Sequence, residues 1–427
     1  MQAVKSPARL LDRLLLLWVM PPLGFVITVS QSPDLRYLIT NYVLGAVLLG
    51  AIFLRWRLRA PSRQLAMRLM LAALLLAALL GIEWIHLLSG RRTIDGLEDA
   101  RMIIYSPLYG SIIVFVLYAM YVAMLDSAQQ QRHLEFFVKL MCGYHLLFLG
   151  YWVLLYLGWI PEIPRAELLR SNSTAYGALF ALCIMILYRE RIGLGWRGRL
   201  FFSLVNIFVI AANQTRGAIL ALLAVLFYLL LKRVPRRWRL AIAVFLLGAT
   251  IGIVEVATLA QGTPLTKVLG RDAEAIVAVL NVIGAAYEAG DARVDISHNL
   301  VLDESSLSAF SRIGSNYYSL LSFLDNPVLG LGQAEAYGIK VIGSSVHSLH
   351  FLIAHAAGFA GLALFAALLL SLATARGPAT LSGRFAVMFL LCFGYMLIFV
   401  NAVPIYFVLV LMTLTENCSK SAVPAGR

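Results

Sequence analysis

The chain contains about twelve apolar stretches approaching the length that lets a helix cross the hydrocarbon of a bilayer, about 20 residues. They lie roughly at 12–30, 36–54, 65–87, 103–125, 134–159, 173–188, 199–213, 217–231, 239–259, 349–372, 385–400 and 402–415. With 61% of residues hydrophobic, 13% charged and a mean hydropathy of +0.83, too little polar surface is left for an ordinary soluble domain. The expected fold class is all-α: a polytopic membrane protein with about 12 transmembrane helices.

A net charge of +13 would suit a nucleic-acid partner if the basic residues formed one patch. They fall instead in short clusters between apolar stretches. Taken at alternate connections, these are Lys5, Arg9 and Arg13; Arg55, Arg57, Arg59 and Arg63; Arg189, Arg191, Arg197 and Arg199; and Lys232, Arg233, Arg236, Arg237 and Arg239. Cytoplasmic connections are enriched in Lys and Arg, so this set and both termini are expected inside, and no nucleic acid is implied. The N-terminal MQAVKSPARLLDRLLLLWVM has a basic start and an apolar run but no small-residue cleavage site, and reads as an uncleaved first helix. Cys142, Cys183, Cys392 and Cys418 have neither CxxC nor metal-type spacing, so no disulfide, metal or other cofactor is expected.

One long segment interrupts the alternation. Residues 260–346 are net acidic and expected outside, which divides the chain into helices one to nine (1–259), an external helical loop (260–346), helices ten to twelve (347–415) and a cytoplasmic tail (416–427). Within the loop, AEAIVAVLNVIGAAYEA has helical periodicity. SRIGSNYYSLLSFL reads as an amphipathic helix with Tyr317, Leu320, Leu321 and Leu324 on one side. DNPVLGLG then demands a turn. Such helices lie along the outer surface or cap a cavity between spans.

Three polar residues stand out against this background. Arg216 sits in AANQTRGAIL, in a connection so short that it must lie at or just below the outer interface, where it contacts either a lipid headgroup or a bound anion. Arg312 is the one basic residue between Arg293 and Lys340; it pairs with Asp303, Glu304 or Asp325, or else offers its fork to phosphate oxygens. His347 opens HSLHFLIAHAAGFAG, at the boundary where a histidine can position or deprotonate a hydroxyl, or simply be a satisfied interface residue. His347, His350 and His355 do not share one helix face, which argues against zinc. Gly358 and Gly361, about one turn apart, read as a small-residue surface for close approach of another helix.

Together, the external loop after span nine, the arginine-bearing turn between spans seven and eight, DNPVLGLG, and HS followed by nine residues and GFAG resemble the O-antigen ligase and polymerase superfamily of bacterial envelopes. The resemblance implies a membrane glycosyltransferase of the GT-C type in the bacterial inner membrane, with the loop and active site periplasmic and no metal or cofactor. The donor would be a glycan on undecaprenyl diphosphate and, for a ligase, the acceptor lipid A-core oligosaccharide. Arg216 and Arg312 would bind the diphosphate, and His347 would be catalytic, activating the acceptor hydroxyl. A single large loop before the histidine motif favours the ligase over the O-antigen polymerase or a protein O-oligosaccharyltransferase. A lipid-linked glycan transporter is the alternative of another class. Transporters place polar residues and broken helices near mid-membrane, often in repeated halves, whereas here the polar residues collect on one outer side.

Overall fold

The computed structural model describes residues 43–58, 60–89, 107–160, 171–187, 192–212, 265–290, 293–294, 304–332, 340–341 and 348–376, with a few isolated positions besides. Arg216 and His347 lie outside the described residues. The described chain is almost wholly helical, as the hydropathy requires. Three helices are long and apolar enough to cross a membrane, Arg63–His86, Ser127–Tyr156 and Leu349–Ala373, and two shorter apolar ones are Ile112–Ala123 and Gly177–Ile186. These are the helices of a membrane protein.

The chain divides into two compact units. The first comprises Met1–Leu222, Ala363–Tyr395 and Asn401–Arg427. Its helices are α1 (Leu44–Leu58), α2 (Arg63–Leu88), α3 (Pro107–Ala123), α4 (Ser127–Tyr156), α5 (Ser171–Leu187) and α6 (Trp196–Ala212). Their ends are set by side chains that satisfy otherwise orphaned backbone donors. Ser62 Oγ accepts from Leu65 N–H at the start of α2. At the start of α4, Asp126 and Gln129 form a reciprocal capping box, with Gln129 N–H to Asp126 Oδ1 at 2.7 Å and Asp126 N–H to Gln129 Oε1 at 3.1 Å. Such a cap contributes about 1 kcal/mol. Against it lie α1 and the turn at Arg376: Arg55 Nη1 donates to Gln129 Oε1 at 3.3 Å, and Arg376 Nε to Ala123 O at 2.7 Å. The Glu135 carboxylate sits 2.7 Å from where a Cβ on Gly193 would be. Chain near 55, 123–135, 193 and 376 therefore meets at one end of this unit.

A small polar cluster lies between α4, α5 and α6. His145 and Asn206 are fully buried, and Asn206 Nδ2 donates to Cys142 Sγ at 3.8 Å. Cys142 and His145 are one turn apart on α4, and Gly177 of α5 leaves the space that the end of Met141 fills, 2.5 Å from its virtual Cβ, with His145 Nε2 in ordinary contact at 3.6 Å. Both ring nitrogens of His145 and Oδ1 of Asn206 are buried without a hydrogen-bond partner, so the cluster is only partly satisfied.

The second unit, Leu223–Leu362 with Met396–Val400, holds α7 (Leu265–Glu288), α8 (Glu304–Asp325) and the first part of α9 (Leu349–Ala373). A two-residue parallel pair, β1 (Arg293–Val294) with β2 (Lys340–Val341), closes the chain on either side of α8. The buried face of α8 differs from the one its leucines define. Ser311, Ser315, Tyr318, Ser319 and Ser322 are buried, whereas Leu324 is 61% exposed. Small side chains are what a helix needs where a neighbouring backbone comes close, so the serines face the protein, while Leu320 and Leu321 are half-buried and Leu324 is turned out.

Candidate functional site

The sequence of α9 looks like one uninterrupted apolar helix, but the helix is broken at Gly358, whose backbone (φ 63, ψ −159) is open only to glycine. A break removes the bonds that Phe359 N–H and Ala360 N–H would make four residues back, to the carbonyls of His355 and Ala356. Left bare in an apolar setting, each such group costs several kcal/mol, roughly. The DNPVLGLG turn after α8 supplies all four partners. Leu331 N–H donates to His355 O at 2.8 Å and Gly332 N–H to Ala356 O at 2.9 Å; Phe359 N–H donates to Pro327 O at 2.7 Å and Ala360 N–H to Val328 O at 3.1 Å.

Two glycines make this docking possible. A Cβ at Gly330, which has φ 69, would stand 2.3 Å from His355 O, and one at Gly358 would stand 2.5 Å from Val328 O. Both obstacles are backbone and cannot swing aside. The small-residue surface expected at Gly358 and Gly361 thus has a different use: a turn, not a helix, approaches Gly358. Gly361 is small because the kink folds its own helix over it, Ala357 Cβ lying 2.3 Å from its virtual Cβ.

The break leaves a half-helix from Leu349 to Ala357, and α8 runs beside it in parallel and in register. Ser348 N–H donates to Asn316 Oδ1 at 3.2 Å, and Ser319 Oγ donates to Phe351 O at 2.9 Å, both across an offset of 32 residues. Phe359 to Pro327 and Ala360 to Val328 continue the same offset. Ser348 starts the half-helix, its carbonyl accepting from Leu352 N–H at 2.8 Å. The nine residues between HS and GFAG are therefore the length of chain that keeps both ends of the half-helix in step with α8.

Of the residues expected to form a site, Arg312 is described. It lies half-buried on α8, one turn before Asn316, on the side of the helix that meets the start of α9. Its neighbourhood is thus the start of the half-helix, where residue 347 directly precedes Ser348 in the chain. Asn316, Ser319 and Gly330 are site-building residues that the sequence did not single out. The turn chemistry of DNPVLGLG was legible; its docking partner was not.

On the flank away from α9, Tyr287 of α7 stacks edge-to-face on Tyr318, centroids 5.0 Å apart, and its hydroxyl donates to Asp325. Burial and the Asp325 carboxylate push the Tyr287 hydroxyl pKa up to about 12. This pair ties α7 to the C-terminal end of α8. Around the docked turn, Leu324, Val328 and Phe359 are 61%, 67% and 68% exposed, an apolar tip that lipid would cover.

In comparisons with known proteins, no family model and no curated relative matches the chain.

Proposed function

We propose that the chain is a membrane-embedded glycosyltransferase that uses a lipid diphosphate donor. The observation carrying this reading is the place of Arg312, half-buried on α8 one turn before Asn316, which holds the start of the α9 half-helix; the break at Gly358 by itself would suit a transporter equally. Non-helical backbone at membrane depth is tolerated where protein covers it, and it commonly lines a functional cavity. From Leu349 to the break is about 14 Å, and from the break to Ala373 about 22 Å. Both parts are needed to cross about 30 Å of hydrocarbon. On this reading the break would lie within the bilayer, and α8 with its apolar tip would descend beside the half-helix from the outer surface.

More particularly, we read it as an O-antigen ligase in the inner membrane. The glycan would pass from undecaprenyl diphosphate to a sugar of the lipid A-core on the periplasmic face. Arg312, with Arg216, would hold the diphosphate by charge-assisted hydrogen bonds and stabilise the negative charge that develops on the leaving oxygen. His347 would take the proton of the acceptor hydroxyl as its oxygen bonds to the anomeric carbon. The bond from that carbon to the diphosphate oxygen breaks, undecaprenyl diphosphate leaves with the electron pair, and attack from the opposite face inverts the centre. The first turn of the half-helix would add backbone N–H groups and the positive end of its dipole to the same site.

The test is deletion of the gene in its native host, followed by separation of the carrier-lipid and lipopolysaccharide fractions. Long polymer stranded on the carrier lipid, with bare core, fits the ligase. Single repeats on the core would make the chain a polymerase, and unglycosylated protein a protein O-oligosaccharyltransferase. Lipid-linked glycan trapped on the cytoplasmic side would make it a transporter.

A further inference from the structure

We propose that His145 and Asn206 bind a water molecule between α4, α5 and α6, deep in the membrane-spanning part of the first unit, and that the two side chains share it as a built-in ligand. The proposal stands apart from the glycosyltransferase reading and uses none of its residues.

Depth is fixed by position along the helix. α4 has 30 residues and is about 45 Å long, and His145 stands about 27 Å from its start. A hydrocarbon layer of about 30 Å laid anywhere along that helix encloses this level, so bulk water does not solvate the ring. Phe148, one turn further along α4, is buried and packs edge-to-face on Trp152 with centroids 6.2 Å apart, an apolar cover toward that end of the helix. Neither His145 nor Asn206 has any exposed surface.

A bare polar atom in such a setting is costly, and here there are three: both ring nitrogens of His145 and Oδ1 of Asn206. Asn206 reaches from α6 to the turn of α4 that carries Cys142 and His145, and its amide gives one hydrogen to Cys142 Sγ at 3.8 Å. Ring and amide are thus neighbours, yet no direct bond joins them. On the other side, the position of α5 nearest to Nε2 is Gly177, which has no side chain to offer, and the apolar end of Met141 shares that gap. The unmet hydrogen-bonding capacity is therefore answered from within the cluster.

Water matches it in either tautomer of an uncharged imidazole. It donates to a bare ring nitrogen or accepts from a ring N–H, and in both cases it donates a hydrogen to Asn206 Oδ1. A metal ion matches less well. The described residues hold no group of three His, Cys, Asp or Glu side chains that could ligate one, and with no carboxylate in the cluster a cation's charge would stay uncompensated in hydrocarbon.

The experiment uses the full chain in lipid nanodiscs, with isotope-labelled histidine and asparagine, and reads the transfer of magnetisation from water to side chains by proton-detected solid-state NMR. The His145 ring is assigned by its contact with the Tyr144 ring, their centroids being 5.8 Å apart, and by its absence in His145→Phe. Transfer from water to this ring is expected in the wild type, at a level where the backbone amides of α4 do not exchange in heavy water. In Asn206→Leu, which keeps the size of the side chain and removes one anchor, the transfer is expected to fall severalfold while the other histidines keep theirs. A wild-type ring without transfer from water overturns the proposal, and a through-bond coupling to the Asn206 amide would then show that the two side chains bond directly. Undiminished transfer in Asn206→Leu overturns it as well, because the water would not be held by the pair. Should Asn206→Leu fail to insert, the wild-type spectrum decides alone.

Discussion

Phe359 N–H meets Pro327 O at 2.7 Å, at the same offset of 32 residues that joins Ser348 to Asn316 and Phe351 to Ser319. A helix broken at Gly358 is thereby carried in register along α8, with the break sealed by a turn. Two glycines make this contact, and their replacement is the most direct way to disturb it.

Gly358→Ala and Gly330→Ala are expected to destabilise the protein by about 2–4 kcal/mol each, because a side chain at either position strains a left-handed backbone and meets backbone oxygen. Thermal unfolding in detergent and the yield of inserted protein measure this. Wild-type midpoints for both variants would mean that the turn is not docked on the break.

Gly45→Ala should behave in the opposite way. The nearest atom to its virtual Cβ is Leu117 Cδ1 at 3.9 Å, ordinary contact, and alanine favours helix by up to about 1 kcal/mol. Gly177→Ala is intermediate: its 2.5 Å obstacle is the flexible end of Met141, so a loss of about 1 kcal/mol or less is expected. The ranking of unfolding midpoints, Gly45→Ala highest and Gly358→Ala lowest, is the readout.

Arg312→Ala, Arg216→Ala and His347→Ala should insert normally and lose transfer by on the order of 100-fold or more. Arg312→Lys should recover only part of the rate, since an ammonium keeps the charge but not the planar fork that matches phosphate. Lipopolysaccharide ladders from complemented deletion strains, with membrane levels checked by immunoblot, decide this. Full ladders in the three alanine variants would remove these residues from the site.

Transfer by purified protein should persist in excess chelator, the arginines taking the part a divalent ion plays elsewhere. Activity lost on chelation and restored by one added metal would refute this.

The Tyr287 hydroxyl has a folded-state pKa pushed up to about 12 from the usual value near 10, by burial first and then by Asp325. Raised above its unfolded value, the neutral form favours the fold. Its contribution is complete below about pH 10 and is lost as the pH rises toward 12. Tyr287→Phe should therefore weaken the protein below pH 10 and flatten the alkaline decline of its unfolding midpoint. An identical alkaline profile in the two proteins would count against the Tyr287 to Asp325 bond.

Residue order alone determined that the described chain forms apolar helices, that a turn interrupts it at DNPVLGLG, and that helices flank the turn. These are sums over neighbouring residues, and hydropathy, turn chemistry and periodicity report them locally. In the structure Arg55 meets Gln129, and Arg376 meets Ala123, at one end of the first unit. What only the tertiary structure decided is which surfaces meet. Leu324 looks like core by its spacing, yet it is the serine face of α8 that is buried, with Ser319 bonded to the backbone of α9 and Tyr318 stacked on Tyr287. Gly358 looks like a packing glycine within a helix. Whether a helix breaks there depends on whether distant carbonyls and N–H groups replace the bonds it gives up, and that is settled by the path of the chain between α8 and α9. Asn316 carries no signal for the same reason: its partner is a peptide 32 positions away.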